Sequence, residues 1–137
     1  MDSLTFQPGL AFLSSNSPAP PWTAVFEDEG AAGYFYACDR SQETHDHSIM
    51  DAMLIYNVSS LDDRERERIA SIQWSRDGMR CVLYLDGAAQ AMLDFAARLS
   101  FCRSNFPNFL EDDPRWRKTS HAWDDEAIRR FEAEIYA

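Results

Sequence analysis

The chain has 137 residues, a length that suits one domain and is too short for two independent cores. Hydrophobic residues make up 45% of it, which excludes an intrinsically disordered protein. With 13 Lys and Arg against 23 Asp and Glu, the net charge is −10, so the chain should repel phosphate backbones and anionic lipid. We therefore expect no binding to nucleic acid or membrane. A basic partner is favoured, although solubility alone is the simpler explanation of the charge.

The residues also predict where the protein resides. Met1 to Phe12 lack the basic and apolar regions of a signal peptide, and no stretch approaches the ~20 apolar residues of a membrane span. The three cysteines, Cys38, Cys81 and Cys102, form no C-x-x-C pair, and an odd number argues against a disulfide framework. We expect a cytoplasmic protein with reduced thiols.

The first 21 residues are predicted to be an N-terminal arm and a loop. Ser14 to Pro21 contains three prolines and four polar residues, a composition typical of loops, while Leu10 to Leu13 can add an edge strand. After this loop, Thr23 to Glu27 and Tyr34 to Cys38 are predicted to form two strands of a β-hairpin.

Further strands are predicted in the middle of the chain. Ile49 to Val58 is an apolar run rich in aromatic and β-branched residues toward its end. Ile69 to Trp74 and Met79 to Leu85 flank Ser75-Arg76-Asp77-Gly78, which is typical of a tight hairpin turn. The intervening Asp62 to Arg68 alternates in charge, which predicts a solvated loop or a short self-paired helix.

Two helices are predicted after Asp86-Gly87. Asp86 can cap a central helix, and its core face would be formed by Ala88, Met92, Phe95, Ala96 and Leu99. The acidic start at Asp124, followed by Ala127, Ile128, Phe131 and Ile135 on one stripe, predicts a C-terminal amphipathic helix.

These elements predict an α+β fold: an antiparallel sheet of about five strands, covered on one face by the central and C-terminal helices. Residues 1–137 form one domain, in which strands dominate residues 22–86 and helices and loops dominate residues 87–137.

His45-Asp46-His47 has the composition of a metal site, because two imidazoles with Glu43 and Asp51 nearby offer ligands for a divalent ion. The spacing supplies no defined third ligand, and a solvated loop explains the pattern better. No metal site is predicted.

A cysteine nucleophile served by His121 is the other catalytic arrangement to weigh. Cys38, Cys81 and Cys102 all fall in apolar contexts where cysteine usually packs as a small hydrophobe. The sequence also lacks a phosphate-binding glycine loop, a nucleophile elbow and an H-E-x-x-H motif. It therefore predicts no catalytic residue and no cofactor.

Acids and tyrosines of the first strands predict an interface instead. Charge steers a cationic partner toward such a surface, while burial of aromatic side chains supplies most of the binding energy. The predicted partner-binding residues are Glu27, Asp28, Glu29, Tyr34, Tyr36, Asp39 and Asp51.

Seven blocks of the chain resemble a family of uncharacterised bacterial proteins known as a domain of unknown function. The resemblance covers roughly positions 22 to 123. It rests on Phe26–Gly30 with Gly33–Ala37, Asp51-Ala52 with Ile55–Val58, Ile72–Ser75, Ala91–Phe95 and Cys102–Pro107. Members of that family have been proposed to be immunity proteins that neutralise toxins, which implies a protein partner and no catalytic residues.

We therefore expect a non-enzymatic interaction protein, in which an acidic, aromatic surface binds a cognate, basic toxin domain. The alternative is a small enzyme or ligand-binding domain with a carboxylate and histidine site between sheet and helices, using residues such as His45 or His47. Self-association through an apolar patch is a third possibility.

Overall fold

A computed structural model describes residues 1–41, 48–104, 113–117 and 120–136. These residues form nine strands and a C-terminal helix. Their bounds are β1 Asp2–Phe6, β2 Ala11–Asn16, β3 Trp22–Asp28, β4 Ala32–Asp39, β5 Ile49–Asn57, β6 Arg68–Trp74, β7 Arg80–Leu85, β8 Ala88–Asp94, β9 Leu99–Cys102 and α1 Asp125–Ile135.

The strands form two antiparallel sheets. One has five strands in the order β1-β6-β7-β8-β9, and the other has four in the order β2-β3-β4-β5. Alternate residues of each sheet point into a shared core, where Phe26, Phe35 and Met53 of the four-stranded sheet pack with Ile72 and Leu83 of the five-stranded sheet. The sheets are therefore two layers of one sandwich.

Helix α1 forms a third layer on the outer face of the five-stranded sheet. Asp124 accepts a hydrogen bond from the backbone N–H of Ala127 and so caps the helix. Ile128 and Phe131 are buried against Val82 and Met92 of the sheet. The predicted C-terminal amphipathic helix is confirmed.

The predicted central helix is wrong. Ala88 to Asp94 is strand β8, and Leu99 to Cys102 is strand β9. Asp86 and Gly87 both have positive φ, at 50° and 82°, so they form the tight turn of a β7–β8 hairpin rather than a helix cap.

Burial on both faces of β8 explains the error. Ala91 and Leu93 point into the sandwich core, whereas Met92 faces α1. A strand buried on both faces has no apolar and polar alternation, and its run of Ala and Met imitates a helical stripe.

The predicted α+β fold, a five-stranded sheet covered by two helices, is therefore corrected to a mainly β sandwich with a helix on one side. The two hairpins predicted at residues 23–38 and 69–85 are confirmed as β3–β4 and β6–β7. The N-terminal arm contributes one strand to each sheet. Among the described residues, no helix is long and apolar enough to cross a membrane.

Candidate functional site

Side chains of strands β2, β3 and β4 form rows across the outer face of the four-stranded sheet. Because Phe26, Phe35 and Met53 point into the core, their neighbours along each strand point outward. One row pairs Phe12 with Glu27 and Glu27 with Tyr34, and the next pairs Ser14 with Val25 and Val25 with Tyr36. We call these six residues, Phe12, Ser14, Val25, Glu27, Tyr34 and Tyr36, the aromatic–acidic face.

The two tyrosines and the glutamate of this face interact directly. The rings of Tyr34 and Tyr36 stack with centroids 6.1 Å apart and planes 13° apart. The Tyr36 hydroxyl donates to Glu27 Oε1 at 3.4 Å. Burial, together with the charge of Glu27 and this hydrogen bond, raises the pKa of Tyr36 to about 12. The phenol therefore stays neutral at physiological pH, and the carboxylate is held beside an aromatic surface.

Glu29 lies just beyond this face, at the tip of the β3–β4 hairpin. Its side chain is exposed, and its Oε2 accepts a hydrogen bond from the N–H of Ala31 at 3.3 Å. Among the predicted interface residues, the structure thus brings Glu27, Tyr34 and Tyr36 onto one face, with Glu29 at its end.

Asp28 points the opposite way and is only 1% exposed. Its Oδ2 accepts from the N–H of Gly9 at 2.7 Å and from the Tyr56 hydroxyl at 2.6 Å, while its Oδ1 accepts from the N–H of Gly30 at 2.9 Å. Burial and the contact with Asp28 raise the pKa of Tyr56. Asp28 therefore joins the β1–β2 turn to the β3–β4 hairpin and does not face a partner.

Asp39 is also turned away from the aromatic–acidic face. Its Oδ1 accepts from the N–H and the hydroxyl of Ser41 at 2.9 and 2.6 Å, and its Oδ2 lies 3.9 Å from an Arg115 guanidinium nitrogen. Asp39 closes the end of β4 and pairs with the segment that follows the five-stranded sheet.

Asp51 lies in a buried polar cluster where β5 meets β9. Its Oδ2 is 2.8 Å from His121 Nε2 and also accepts from the Ser100 hydroxyl, which in turn accepts from Trp116 Nε1 at 3.2 Å. The exposed fractions are 1% for Asp51, 0% for His121 and 2% for Ser100. This cluster joins the two sheets and the segment around His121.

Serine, histidine and aspartate suggest a catalytic triad, but their order in space is wrong for one. A triad needs histidine between the other two, so that it removes the serine proton. Here, the Asp51 carboxylate lies between Ser100 and His121. Together with its burial, this arrangement makes the cluster a structural network.

The metal and cysteine candidates of the sequence do not come together as a site among the described residues. Glu43, His45 and His47 lie outside the described ranges. Within those ranges, no group of three or more His, Cys, Asp or Glu is placed to hold a metal ion. Cys38 and Cys81 are buried, and burial raises both pKa values, for Cys38 to about 12, which suppresses the reactive thiolate.

The acidic charge is unevenly distributed along the chain. Residues 1–57 contain eight Asp and Glu and one cation, Arg40, for a net charge of −7. Residues 58–137 contain fifteen acids and twelve Lys and Arg, for a net charge of −3. The four-stranded sheet comes entirely from the first part, in whose sequence Arg40 is the only cation.

A cleft of about 330 Å³ lies between β9 and the start of α1, where the alternative hypothesis places a ligand site. Its wall carries Asp94, Asp124 and Arg130, and it reaches Ser100. Asp124 caps α1, Asp94 accepts from the N–H of Ala97, and Ser100 belongs to the buried cluster. These polar groups already serve the fold, so the cleft is a weaker candidate than the aromatic–acidic face.

Sequence reasoning missed the buried cluster and the inward orientation of Asp28. Asp51 and His121 are 70 positions apart, so no local spacing reveals their contact. Strand alternation does offer a signal for Asp28. It follows Phe26 by two positions and must share the core face if Phe26 is buried.

Comparison with known proteins gives a family without a described activity. A family model described as an uncharacterized protein conserved in bacteria (DUF2251) matches residues 6–132. A protein of Haemophilus influenzae, also described only as uncharacterized, is 33% identical over 86 residues, which are 63% of this chain and 52% of that protein. The alignment thus spans about half the length of that relative. No solved structure matches the chain.

Proposed function

The chain belongs to this family of uncharacterised proteins conserved in bacteria, and from its geometry we propose a non-enzymatic interaction protein whose aromatic–acidic face binds a basic protein domain. The observation that carries the proposal is the placement of Glu27, Tyr34 and Tyr36 together on one outward sheet face. Tyrosine anchors beside a carboxylate suit a surface that recognises cationic side chains, because arginine and lysine pack on aromatic rings and pair with acids.

The charge distribution supports the proposal of a cationic partner. The part of the chain that forms the four-stranded sheet contains a single cation, Arg40, so a basic domain meets almost no repulsion there. Such a field raises association rates with cationic partners and weakens in salt.

The finer proposal is that the partner is a toxin and that the protein acts as its immunity protein. A toxin that cleaves nucleic acid needs a basic cleft to hold phosphates, and an acidic protein that fills the cleft would block it. The support for this role is the family resemblance together with the acidic face. It is a narrower proposal than binding to a basic protein.

The test compares two variants that remove the same charge from opposite sides of the molecule. Glu27→Gln with Glu29→Gln acts on the aromatic–acidic face, whereas Asp125→Asn with Glu126→Gln acts on exposed positions of α1. Asp28 is left intact because its carboxylate holds two loops together.

Wild-type and variant proteins are used to capture partners from cells of the source, and affinity for the captured partner is measured at low and high salt. We expect the Glu27 and Glu29 changes to weaken binding at low salt about fivefold, or roughly 1 kcal/mol, and to flatten its salt dependence. The α1 changes should leave both nearly unchanged. Equal effects of the two variants would refute recognition by this face.

A further inference from the structure

The edge of strand β2 borders the aromatic–acidic face and presents unpaired backbone. In the sheet order, β2 has β3 on one side and no strand on the other among the described residues. The N–H of Ser17 donates to the carbonyl of Trp22 at 2.9 Å. Hydrogen-bonded pairs alternate along an antiparallel ladder, so the next ones are Ser15 with Ala24 and Leu13 with Phe26. The N–H and C=O groups of Phe12, Ser14 and Asn16 consequently point away from β3.

The exposure of these alternate β2 residues agrees with this arrangement. Phe12 is 59% exposed, and Ser14 and Asn16 are also exposed. The segment after β1 meets this edge only through the isolated bridge between Gln7 and Leu10, among the described residues. Strand β1 itself pairs with β6 in the other sheet and contacts β2 from the core side, where Ser15 Oγ donates to Asp2 Oδ2 at 2.5 Å. Edge strands with unpaired groups of this kind accept an additional strand.

We propose that the basic partner binds by adding an extended segment to the β2 edge, so that its alternate cationic side chains lie over the aromatic–acidic face. This inference rests on the proposed function and specifies its binding mode. An added strand continues the rows of the sheet, which places its outward side chains beside Phe12 and Ser14, one strand away from Glu27. Backbone pairing supplies affinity, and the acidic, aromatic rows select arginine or lysine at every second position.

The test uses a synthetic probe rather than the natural partner. A capped peptide that alternates arginine with threonine or valine supplies cationic side chains on one face of a strand. The same peptide, N-methylated at alternate residues, keeps the charge but loses strand pairing. Amide hydrogen exchange of the protein is followed by NMR with each peptide at increasing concentration.

We expect the unmodified peptide to slow exchange at Phe12, Ser14 and Asn16, and the N-methylated peptide to leave it unchanged. Unchanged exchange at all three amides, up to the highest soluble concentration of the unmodified peptide, would overturn the inference.

Substitutions at Ser14 separate edge pairing from binding by the face alone. Ser14→Pro removes one outward N–H without touching the ladder to β3, and edge strands tolerate proline. Ser14→Ala removes only the hydroxyl. Edge pairing predicts that Ser14→Pro weakens binding of the peptide and of the captured partner roughly 3- to 10-fold relative to Ser14→Ala.

If Glu27→Gln with Glu29→Gln weakens partner binding but Ser14→Pro matches Ser14→Ala, the face is used without strand addition. The further inference then fails while the proposed function stands. If the Glu27 and Glu29 changes weaken binding no more than the α1 changes do, and Ser14→Pro matches Ser14→Ala, then both the further inference and the proposed function fail. Thermal melting of each variant shows whether it is folded. If Ser14→Pro does not fold, the hydrogen-exchange measurement on the wild-type protein still tests strand addition at β2.

Discussion

The two sheets differ in what lies on their outer faces. On the five-stranded sheet, Val82 and Met92 are buried beneath Phe131 of α1. On the four-stranded sheet, Glu27, Tyr34 and Tyr36 occupy the equivalent outward positions and are only half-buried, and no helix among the described residues packs on them. Apolar side chains on the first face require cover for folding, whereas the second combines aromatic area with charge. The comparison indicates that one face is structural, whereas the other is the face that we propose binds a partner.

The largest effect is expected on the covered face. Phe131→Ala would remove a fully buried ring between α1 and the sheet and should lower the free energy of unfolding by about 3 to 5 kcal/mol. Urea denaturation measures this change. A loss below about 1 kcal/mol would mean that α1 does not stabilise the sandwich, and the contrast between the faces would disappear.

A smaller but sharper contrast is expected within one strand. Asp28→Ala would leave the N–H groups of Gly9 and Gly30 and the Tyr56 hydroxyl without their acceptor, which should cost about 2 to 3 kcal/mol. The adjacent Glu27→Ala should change stability by less than about 0.5 kcal/mol. Denaturation of the two variants in parallel tests this, and equal losses would show that Glu27 too is needed for folding.

The tyrosines of the aromatic–acidic face should contribute little to folding. Replacing both Tyr34 and Tyr36 with serine removes one stacked pair and half-buried area, so we expect a loss of roughly 1 to 2 kcal/mol, well below that of Phe131→Ala. Thermal and urea unfolding of the double variant provide the measurement. A loss of stability as large as that of Phe131→Ala would show that these two rings are needed for folding.

The smallest effect concerns the ionisation of Tyr36. Its pKa in the folded protein, about 12, lies above the ordinary tyrosine value of about 10, so its contribution to stability is complete below pH 10 and is lost as pH rises toward 12. Glu27→Gln should lower the pKa of Tyr36 without restoring its ordinary value, because burial is the largest cause of the shift.

Ultraviolet titration of Glu27→Gln, with Glu27→Gln plus Tyr36→Phe as the control, isolates this phenol. An unchanged Tyr36 pKa in Glu27→Gln would contradict the contact between the two side chains.

The sequence predicts those elements correctly whose structure is decided by local chemistry. Hairpin turns and the acidic start of α1 are local signals, and the β3–β4 and β6–β7 hairpins and the C-terminal helix follow from them. The sequence predicts a helix where strand β8 lies, because β8 is buried on both faces and periodicity does not show this tertiary property.

The same distinction between local signals and tertiary contacts applies to the candidate site. Glu27 and Tyr34 lie within three residues of one hairpin turn and Tyr36 lies two residues further along β4, so their proximity follows from the predicted β3–β4 pairing. The sequence predicts that Asp51 belongs with them, but its partners His121 and Ser100 are 70 and 49 positions away, and these contacts place Asp51 in the interior. Only the packing of the two sheets reveals that contact.

Partner capture with the wild-type protein and the Tyr34→Ser plus Tyr36→Ser variant, side by side, tests the central claim most directly. If the aromatic–acidic face binds the partner, the wild type should retain a basic protein stoichiometrically. The folded variant should lose that protein or bind it at least about tenfold more weakly. Equal retention of the same partner by both proteins would contradict the account, because binding would then occur on another surface.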